Sequence, residues 1–391
     1  MAHTAAVPQP DMVAAMRIVP RPWPWSLLAL LLAAGPAEAG DALDKTLELL
    51  DARYPTPLDG ALADRAAVEG VLAWLDATQG TAGSQVLDEA AYQALQSWYR
   101  GEREGLGAEF SIVAGQGVLI TELFAGGAAA RSGLRLGDLV VAVDDQPFTG
   151  LPAAAIHALV KRSVGATATL DVRRDLSELK RFKVQRGPYK VAAVQVGQSD
   201  GLSIIRIKFF GQGTAEDLAR ALGTVEPGAA VVIDLRDNEG GSLDEVVAAA
   251  SAFLATGTTV ARKVGPDGSL TDLKSRAGTP FEGKVALLVN QGTQGPAEAF
   301  AAALQDNRGS SLVGTRTGGV ATVPSFHRID PDLVVQLADT GLRSPTGRAW
   351  AGTGLAPDLV VQAPSQLLVG PPGSDPPDMQ RDAAIRLLSG H

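Results

Sequence analysis

Few side chains in this sequence have the chemistry for nucleophilic or metal-assisted catalysis. The chain has no cysteine, which excludes thiol nucleophiles, cysteine-ligated zinc, iron–sulfur clusters and disulfides. It has four histidines, of which His3 and His391 lie at the chain ends. A serine–histidine triad or a histidine-based metal site would therefore have to use His157 or His327. We predict no metal site and no cofactor.

Three short patterns resemble reactive motifs but are better explained as structure. Ser177–Lys180 reads Ser-x-x-Lys, yet the charged segments on both sides of it predict a solvated hairpin. Residues 278–285 nearly match a phosphate-binding loop, but they lack its Ser/Thr and run into a predicted strand. His327 stands near Asp330 and Asp332, and we interpret it as a surface histidine.

Five acidic residues lie close together in the middle of the chain. They are Asp234, Asp237, Glu239, Asp244 and Glu245. Their spacing is not that of a calcium-binding loop. We expect them to cap and flank a helix that begins near Ser242, because negative charge stabilises the N-terminus of a helix.

Length and composition indicate a folded, acidic protein. The 391 residues correspond to two or three domains, and 46% hydrophobic with 20% charged residues excludes a disordered chain. The 34 Lys and Arg against 43 Asp and Glu give a net charge of −9 without a long basic block. Nucleic acid is therefore not an expected partner.

The N-terminus predicts an export signal. Arg17 and Arg21 precede a short apolar run at 27–34, and Ala37-Glu38-Ala39 has the small-x-small form of a cleavage site. We predict a signal peptide over residues 1–39 and a periplasmic or otherwise exported protein. The alternative is that the segment is retained as an N-terminal membrane anchor.

The rest of the chain divides by composition into four parts. Residues 40–104 have helical periodicity, and 105–186 contain short alternating runs broken by glycine, which predict a β-rich domain. Residues 187–363 alternate strand-like and helical segments, as an α/β core does. Residues 364–391 form a Pro/Gly-rich linker followed by a last helix at about 378–388.

Individual elements follow from the same periodicities. The sequence predicts helices near 42–50, 67–75, 87–100, 151–160, 214–222, 244–254 and 297–304, and strands near 116–120, 202–210, 230–235 and 285–289.

The β-rich part resembles a PDZ domain of the type attached to bacterial proteases. The resemblance rests on residues 105–110 (GLGAEF), 116–120 (QGVLI) and 127–144 (GAAARSGLRLGDLVVAVD), followed by a helix at 151–160. A PDZ domain pairs the C-terminal strand of a ligand with an exposed sheet edge, and backbone N–H groups of its first loop bind the terminal carboxylate. The alternative is a small β-domain that only packs between its neighbours.

The resemblance assigns peptide-binding residues. They are Gly105, Leu106, Gly107 and Ala108 in the carboxylate loop, with Phe110, Ile156 and Val160 lining the apolar pocket below it. We expect a bulky residue at Gly107 to block this groove and leave the fold intact.

The α/β part resembles the carboxyl-terminal processing proteases, also called tail-specific proteases. The matching segments are 232–244 (VIDLRDNEGGSLD), 288–300 (LVNQGTQGPAEAF), 313–317 (VGTRT), 344–348 (SPTGR) and 354–358 (GLAPD). The resemblance implies an α/β core of the tail-specific protease type, with an inserted β-rich PDZ domain and an N-terminal helical segment.

This sequence departs from the family at its catalytic residues. The family's serine nucleophile, in Asn-x-Gly-Ser-Ala-Ser-Ala-Ser-Glu, aligns with Gly295, and its lysine base, 25 positions later, aligns with Val320. A glutamine that commonly follows four residues after the lysine aligns with Pro324. Pro296 removes an N–H that the family uses as an oxyanion donor, whereas the other donor region, Gly240-Gly241, is present.

Two functions are consistent with this pattern. The first is a pseudoprotease that binds C-terminal peptide tails, or an active protease or adaptor, through its PDZ domain. The second is an active serine-type processing endopeptidase with a non-standard site, for example Thr293, or a site completed by another chain. A purely structural role is the third alternative.

Overall fold

The computed structural model describes residues 36–56, 59–79, 81, 83–113, 115–160, 167–174, 178–265, 267–362 and 378–390. The chain divides into two compact units, residues 1–67 and 68–391. Most of the predicted signal segment, the predicted linker at 364–377 and Ser177 lie outside the described residues. Within the described ranges, every helix is too short or too polar to span a bilayer.

The N-terminal region is helical, as its periodicity predicts. Its elements are α1 (Pro36–Arg53), α2 (Gly60–Gln79), β1 (Gln85–Leu87) and α3 (Glu89–Tyr99). Asp88 caps α3, because its carboxylate accepts a hydrogen bond of 2.7 Å from the N–H of Ala91. The strand β1, which the sequence did not predict, is only three residues long.

A β-rich domain follows. Its elements are β2 (Glu102–Gly105), β3 (Ala108–Val113), β4 (Gly117–Leu123), α4 (Ala128–Arg131), β5 (Leu139–Val143), β6 (Gln146–Pro147), α5 (Ala153–Val160), β7 (Thr167–Arg174), β8 (Glu178–Gln185) and β9 (Gly187–Lys190). The sheet order is β3-β4-β5-β7-β8, and β2 pairs with β9 in a separate two-stranded ribbon. The strand β3 is therefore an edge strand. The β7–β8 pair is the charged hairpin that was predicted around Lys180.

The rest of the chain forms the α/β core. Its elements are β10 (Val194–Ser199), β11 (Leu202–Ile207), α6 (Thr214–Leu222), β12 (Val231–Asp234), α7 (Leu243–Ser251), β13 (Thr259–Val264), β14 (Leu270–Lys274), β15 (Val285–Val289), α8 (Pro296–Arg308), β16 (Ser311–Gly314), β17 (Thr322–Asp330), β18 (Leu333–Arg343), β19 (Leu359–Val360) and α9 (Met379–Ser389).

The central sheet of the core has the order β10-β11-β12-β15-β16-β19. Neighbouring strands from β11 to β19 are parallel, and β10 is antiparallel to β11. Alternate side chains point to two separate apolar clusters: Ile233 and Leu287 face α6, α7 and α8, whereas Val232 and Leu288 face α9. This two-sided burial explains why the strands are continuous apolar runs.

A second sheet extends from the core. Its order is β1-β18-β13-β14, and β17 pairs antiparallel with β18 along residues 333–341. The loops that follow β12, β15 and β16 all leave the central sheet at the carboxyl ends of parallel strands. Because such ends meet at one edge of the sheet, these loops are brought together there.

An ion cluster connects the last helix, α9, to the central sheet. The guanidinium of Arg236 bonds both carboxylate oxygens of Asp234, at 2.9 and 2.7 Å, and both of Asp378, at 2.9 and 2.8 Å. Asp378 also caps α9 by accepting from the N–H of Arg381 at 3.0 Å. Burial would raise the pKa of Asp378, but the hydrogen bonds and charge of Arg236 outweigh it and hold that pKa below its usual value.

Candidate functional site

Gly295 occupies a sharp turn between a buried strand and a helix. The strand β15 ends at Val289, and α8 begins at Pro296 immediately after Gly295, whose φ is +56° and ψ is −127°. This strand–turn–helix arrangement, with a strained residue at the turn, is the geometry that hydrolases use to present a nucleophile. The backbone at the family's nucleophile position is therefore in a presenting conformation, and the side chain is missing.

The space for a side chain at Gly295 is still there. A Cβ added to Gly295 would have as its nearest neighbours the carbonyl oxygens of Thr322 at 3.8 Å, and of Glu239 and Val320 at 3.9 Å each. These are ordinary contact distances, so a serine fits. The absence of the hydroxyl is a property of the sequence and not of crowding in the fold.

Two of the backbone positions that would supply oxyanion donors offer no free N–H. Pro296 has no N–H, and its ring packs so closely on Gly240 that a Cβ there would lie 2.6 Å from Pro296 Cδ. The N–H of Gly240 donates to Asn238 Oδ1 at 2.8 Å. Within the predicted donor region Gly240-Gly241, the buried Asn238 side chain therefore binds the N–H of Gly240, and the prediction of a donor there depends on Gly241.

Val320 is close to Gly295, as the family alignment requires of the base position. It lies in the loop between β16 and β17, and this loop is tied to the turn at Gly295 by the fully buried Glu298. The carboxylate of Glu298 accepts from the N–H of Gly295 at 3.0 Å, from the N–H of Gly319 at 2.9 Å and from the hydroxyl of Thr317. The two altered positions are thus held together by a carboxyl group.

Burial raises the pKa of Glu298, although its hydrogen bonds act in the opposite direction. A valine at position 320 cannot accept a proton from any nucleophile. Glu298 cannot replace it as a base toward substrate, because it has no solvent exposure and its oxygens are occupied by Gly295, Thr317 and Gly319. Neither Val320 nor Glu298 can therefore act as a proton acceptor toward substrate.

Thr293 is not available as a substitute nucleophile. It is fully buried, and its hydroxyl donates to the carbonyl of Leu235 at 2.8 Å. The same oxygen accepts from the N–H of Asn290 at 3.1 Å. Thr293 therefore stabilises the turn between β15 and α8.

Three of the five acidic residues in the middle of the chain, Asp234, Asp237 and Glu245, have structural partners. Glu245 accepts from the N–H groups of Gly213 and Ala215, both at 3.0 Å, at the start of α6. Asp237 accepts from the side chain of Asn290 at 2.9 Å. Ser242 caps α7, as expected, through a 3.4 Å bond from the N–H of Glu245. No group of three or more metal-ligating side chains occurs within the described residues.

His327 is exposed on β17, as interpreted from sequence. Its Nε2 lies 2.8 Å from the hydroxyl of Ser325, which donates to Asp339 at 2.7 Å. In a catalytic triad the histidine lies between serine and aspartate, but here the serine lies between the other two. This cluster is therefore not arranged to activate a nucleophile.

A cleft of about 490 Å³ opens beside the altered catalytic positions. It is lined by Gly241, Ser242, Leu243, Glu245, Val323, Pro324 and Phe326 of the core and by Gln96, Tyr99, Arg100 and Gln212. Pro324, at the position of the family's glutamine, therefore forms part of the cleft wall. The mixed apolar and polar lining suits a polypeptide segment.

The PDZ loop is shaped by contacts with the segment before α4. The carbonyl of Leu106 accepts from the N–H of Ala129 at 2.7 Å, and that of Gly107 accepts from the N–H of Phe124 at 3.0 Å. In a trans peptide the following N–H points the opposite way, so the N–H groups of Gly107 and Ala108 are directed away from this segment. This orientation leaves them suited to bind a carboxylate.

Gly107 is required by packing as well. A Cβ at this position would lie 2.6 Å from Gly127 Cα, and its φ is +75°. The expectation that a bulky residue at Gly107 leaves the fold intact is therefore wrong, because the side chain would collide with backbone.

The other peptide-binding residues from the sequence lie in or against the PDZ core. Leu106 and Ile156 are core members with 5% exposure each, whereas Phe110 and Val160 are half-buried and pack against that core. Phe110 lies on the edge strand β3, next to the loop.

Sequence reasoning missed an ion cluster between the PDZ domain and the core. Lys208 Nζ, on a side chain with 7% exposure, lies 2.6 Å from Glu109 and 2.5 Å from Glu122. Glu122 also accepts from Gln195 at 2.6 Å. Burial would raise the pKa of Glu122, but these hydrogen bonds lower it. Since 86 to 99 residues separate the partners, no local pattern could reveal the cluster.

Comparisons with known sequences agree with this architecture. Residues 201–361 match peptidase family S41, and residues 96–173 match the PDZ domain. A CtpA-like serine protease of Staphylococcus haemolyticus (strain JCSC1435) is 28% identical over 268 residues, which are 68% of this chain and 54% of that protein. Another from Staphylococcus aureus (strain COL) is 25% identical over 326 residues, which are 82% of this chain and 64% of that protein. This chain thus spans about half to two thirds of the length of these relatives.

Solved structures show the same fold. The photosystem II D1 C-terminal processing protease superposes with a TM-score of 0.52 at 20% identity, covering 82% of this chain and 92% of that one. An S41 protease from Bacteroides fragilis NCTC 9343 gives a TM-score of 0.60 at 17% identity, covering 86% and 92%. Residues 201–361 thus form an S41 peptidase core and residues 96–173 a PDZ domain, and in sequence and fold the chain is similar to carboxyl-terminal processing proteases.

Proposed function

We propose that this protein is a pseudoprotease that binds C-terminal polypeptide tails through its PDZ domain without cleaving them. One observation carries the proposal. At Gly295 the backbone keeps a nucleophile-presenting turn with room for a side chain, yet nucleophile, base and one oxyanion N–H are all absent. A single tolerated substitution would not remove three independent parts of one mechanism.

Tail binding is supported by the free edge of the PDZ sheet. Among the described strands, β3 pairs only with β4, so its other edge is open to a ligand strand. The loop N–H groups at Gly107 and Ala108 lie at the start of this edge and point away from the protein segment behind them. A ligand would gain mainly backbone hydrogen bonds and lose its own freedom, so we expect a Kd of roughly micromolar or weaker.

The cellular setting is part of the same proposal. The charged, apolar and small-x-small segments before residue 40 support export, and tails of exported proteins, or an active protease or adaptor, are the partners we propose.

Two measurements on the full chain test the proposal. Purified protein is incubated with an unfolded substrate bearing an apolar C-terminus, and we expect no cleavage above a heat-inactivated sample. Peptides with free and amidated C-termini are titrated by calorimetry, and only the free form should bind. Cleavage that persists through repurification and vanishes on mutating this chain would contradict the first claim. Equal binding of both peptide forms would contradict the second.

A matched pair of variants locates the binding edge. Phe110→Arg on β3 should weaken binding of the free-carboxylate peptide at least 10-fold. Leu179→Arg on β8, at the opposite edge of the same sheet and 63% exposed, should leave it unchanged. Equal effects of the two substitutions would place the ligand elsewhere.

A further inference from the structure

A second cavity, of about 540 Å³, opens at one edge of the central sheet. We refer to it as the amide pocket, because carboxamide side chains form most of its wall. Its lining residues are Asp237, Asn290, Gln291, Gly292, Gln294, Thr315, Gln362 and Gln380. It shares no lining residue with the cleft beside the altered catalytic positions, so it is a separate site.

The amide pocket lies where α/β proteins commonly bind small molecules. The strands β12, β15, β16 and β19 are neighbours and run parallel. Asn290 directly follows β15, and Thr315 directly follows β16. Asp237 and Gln362 lie in the segments after β12 and β19. The pocket thus opens beyond the carboxyl ends of parallel strands, where ligands bind in open α/β sheets. Its volume is within the range of small-molecule sites, about 300 to 1,000 Å³.

One part of the wall is held in place by its own hydrogen bonds. The side chain of Asn290 donates to Asp237 Oδ1 at 2.9 Å, and its Oδ1 accepts from the N–H groups of Asp237 at 2.9 Å and of Gly292 at 3.0 Å. Asp237 has a φ of +59°, which is uncommon for a residue other than glycine. Gly292 permits the contact, because a Cβ there would lie 2.7 Å from Asp237 Oδ1. A carboxylate and a carboxamide are therefore fixed side by side in the wall.

Gln380 is a second fixed part of the wall. It is 3% exposed, its Nε2 donates to the carbonyl of Val361 at 2.8 Å, and its Oε1 accepts from Arg236 at 3.2 Å. By contrast, the side chains of Gln291 and Thr315 have no hydrogen-bond partner among the residues that the structure describes. The pocket thus combines a rigid polar wall with donor and acceptor groups that a ligand can bond.

The chemistry of the wall favours a neutral ligand rich in hydroxyl groups. Carboxamides and hydroxyls both donate and accept hydrogen bonds, as each hydroxyl of a sugar does. The wall residues include no lysine or arginine to hold an anion, and their one carboxylate, Asp237, is already bonded by Asn290. They include no aliphatic or aromatic side chain either, so the wall offers little to an apolar molecule or an apolar peptide. We propose that the amide pocket binds a neutral saccharide.

This binding is independent of the proposed tail binding. The amide pocket lies in the α/β core, whereas the open edge strand β3 belongs to the PDZ domain. Hydrogen bonds to the sugar replace hydrogen bonds to water, and no aromatic residue lines the wall to stack on a sugar ring. We therefore expect a Kd of roughly 1 mM.

Sugars of similar shape and different charge test the ligand class. The full chain, labelled with ¹⁵N, is titrated with N-acetylglucosamine, N,N′-diacetylchitobiose and cellobiose, and the amide signals of Gln291, Gly292 and Thr315 are followed. Glucosamine and glucuronate, used at a slightly acidic pH, are the cationic and anionic counterparts. We expect saturable shifts with at least one neutral sugar and binding of both charged sugars at least about 5-fold weaker. No saturable shift with any neutral sugar at about 50 mM, or a charged sugar that binds as tightly, overturns the proposal.

Two double variants locate the site. Gln291→Ala with Thr315→Val removes two unbonded polar groups of the wall and should weaken sugar binding at least about 10-fold. The control is Gln198→Ala with Thr271→Val, which removes the same residue types from exposed positions on β10 and β14. It should leave sugar binding unchanged. Thermal unfolding confirms that both proteins are folded, and equal effects of the two double variants would then place the sugar elsewhere and overturn the assignment.

Discussion

Rebuilding the catalytic groups of the family one at a time tests whether three positions account for the inactivity that we propose. The series is Gly295→Ser, Gly295→Ser with Val320→Lys, and both of these with Pro296→Ala. The serine fits, because apart from its chain neighbours no atom lies closer than 3.8 Å to its Cβ, and the backbone at φ +56° and ψ −127° costs a side-chain-bearing residue roughly 1 to 3 kcal/mol. The single variant should remain inactive, since Val320 cannot accept the serine proton.

The gain in kcat expected from the third substitution, Pro296→Ala, follows from the oxyanion geometry. Pro296→Ala restores the missing N–H at the start of α8 and removes the ring that packs on Gly240. One oxyanion donor is worth roughly 10² to 10³ in kcat. The triple variant should therefore cleave an unfolded substrate about 100-fold or more faster than the double variant.

The assay is cleavage of an unfolded protein with an apolar tail, followed by mass spectrometry, with thermal unfolding as a check that each variant is folded. A double variant as active as the triple would refute the role given to Pro296. A triple variant no more active than wild type would show that further residues have been lost. Activity in Gly295→Ser alone would mean that a base other than position 320 operates.

Three further predictions concern the parts that hold the site. Gly107→Ala should cost roughly 2 to 4 kcal/mol of unfolding free energy, from its φ of +75° plus overlap with Gly127. Gly126→Ala, with a φ of +74° and no atom within 4 Å of the added Cβ, should cost only about 1 kcal/mol, measured by urea titration, and equal costs would contradict the packing argument. Because the pKa of Asp378 is lowered in the fold, its contribution to stability is present above its unfolded pKa of about 3.9 and is lost as pH falls through the folded value. Acid should therefore release α9 before the rest of the core. In hydrogen exchange Asp378→Asn should abolish that early release, and an unchanged profile would contradict the prediction. Lys208→Met leaves Glu109 and Glu122 facing each other across β3 and β4 without a cation, and it should lower the free energy of unfolding by roughly 1 to 3 kcal/mol. The control, Lys190→Met, removes an exposed lysine and should change that free energy very little. A Lys208→Met variant as stable as wild type would show that the ion cluster is dispensable.

Local hydrophobic patterns in the sequence were sufficient to predict most of the helices and strands. The helices predicted at 214–222 and 297–304 and the strand at 285–289 are confirmed, because each has the period of its own structure over its whole length. The strand predicted at 202–210 ends instead at Ile207. Phe210 leaves the strand because its backbone pairs with Gly241, 31 residues away, which no local pattern records.

Binding-site residues were harder to predict than elements. Gly107 was assigned to ligand binding from the motif, and only the structure revealed that Gly127 occupies the space where its side chain would be. In the donor region predicted at Gly240-Gly241, the N–H of Gly240 is bound by the side chain of Asn238. In both cases the sequence identifies the residue, and contacts formed in the folded chain decide its role.

The sequence by itself was enough to identify the S41-type core and the PDZ domain and to predict that Gly295 and Val320 stand at the positions of nucleophile and base, since these are matters of residue identity and order. The tertiary structure decided what remains at that position. The conformation of the turn at Gly295 depends on Glu298, which joins Gly295 to the loop of Val320, and on Pro296, which packs on Gly240. Because hydrogen bonds and packing act between atoms that are distant in the chain, the space beside Gly295 exists only in the folded protein.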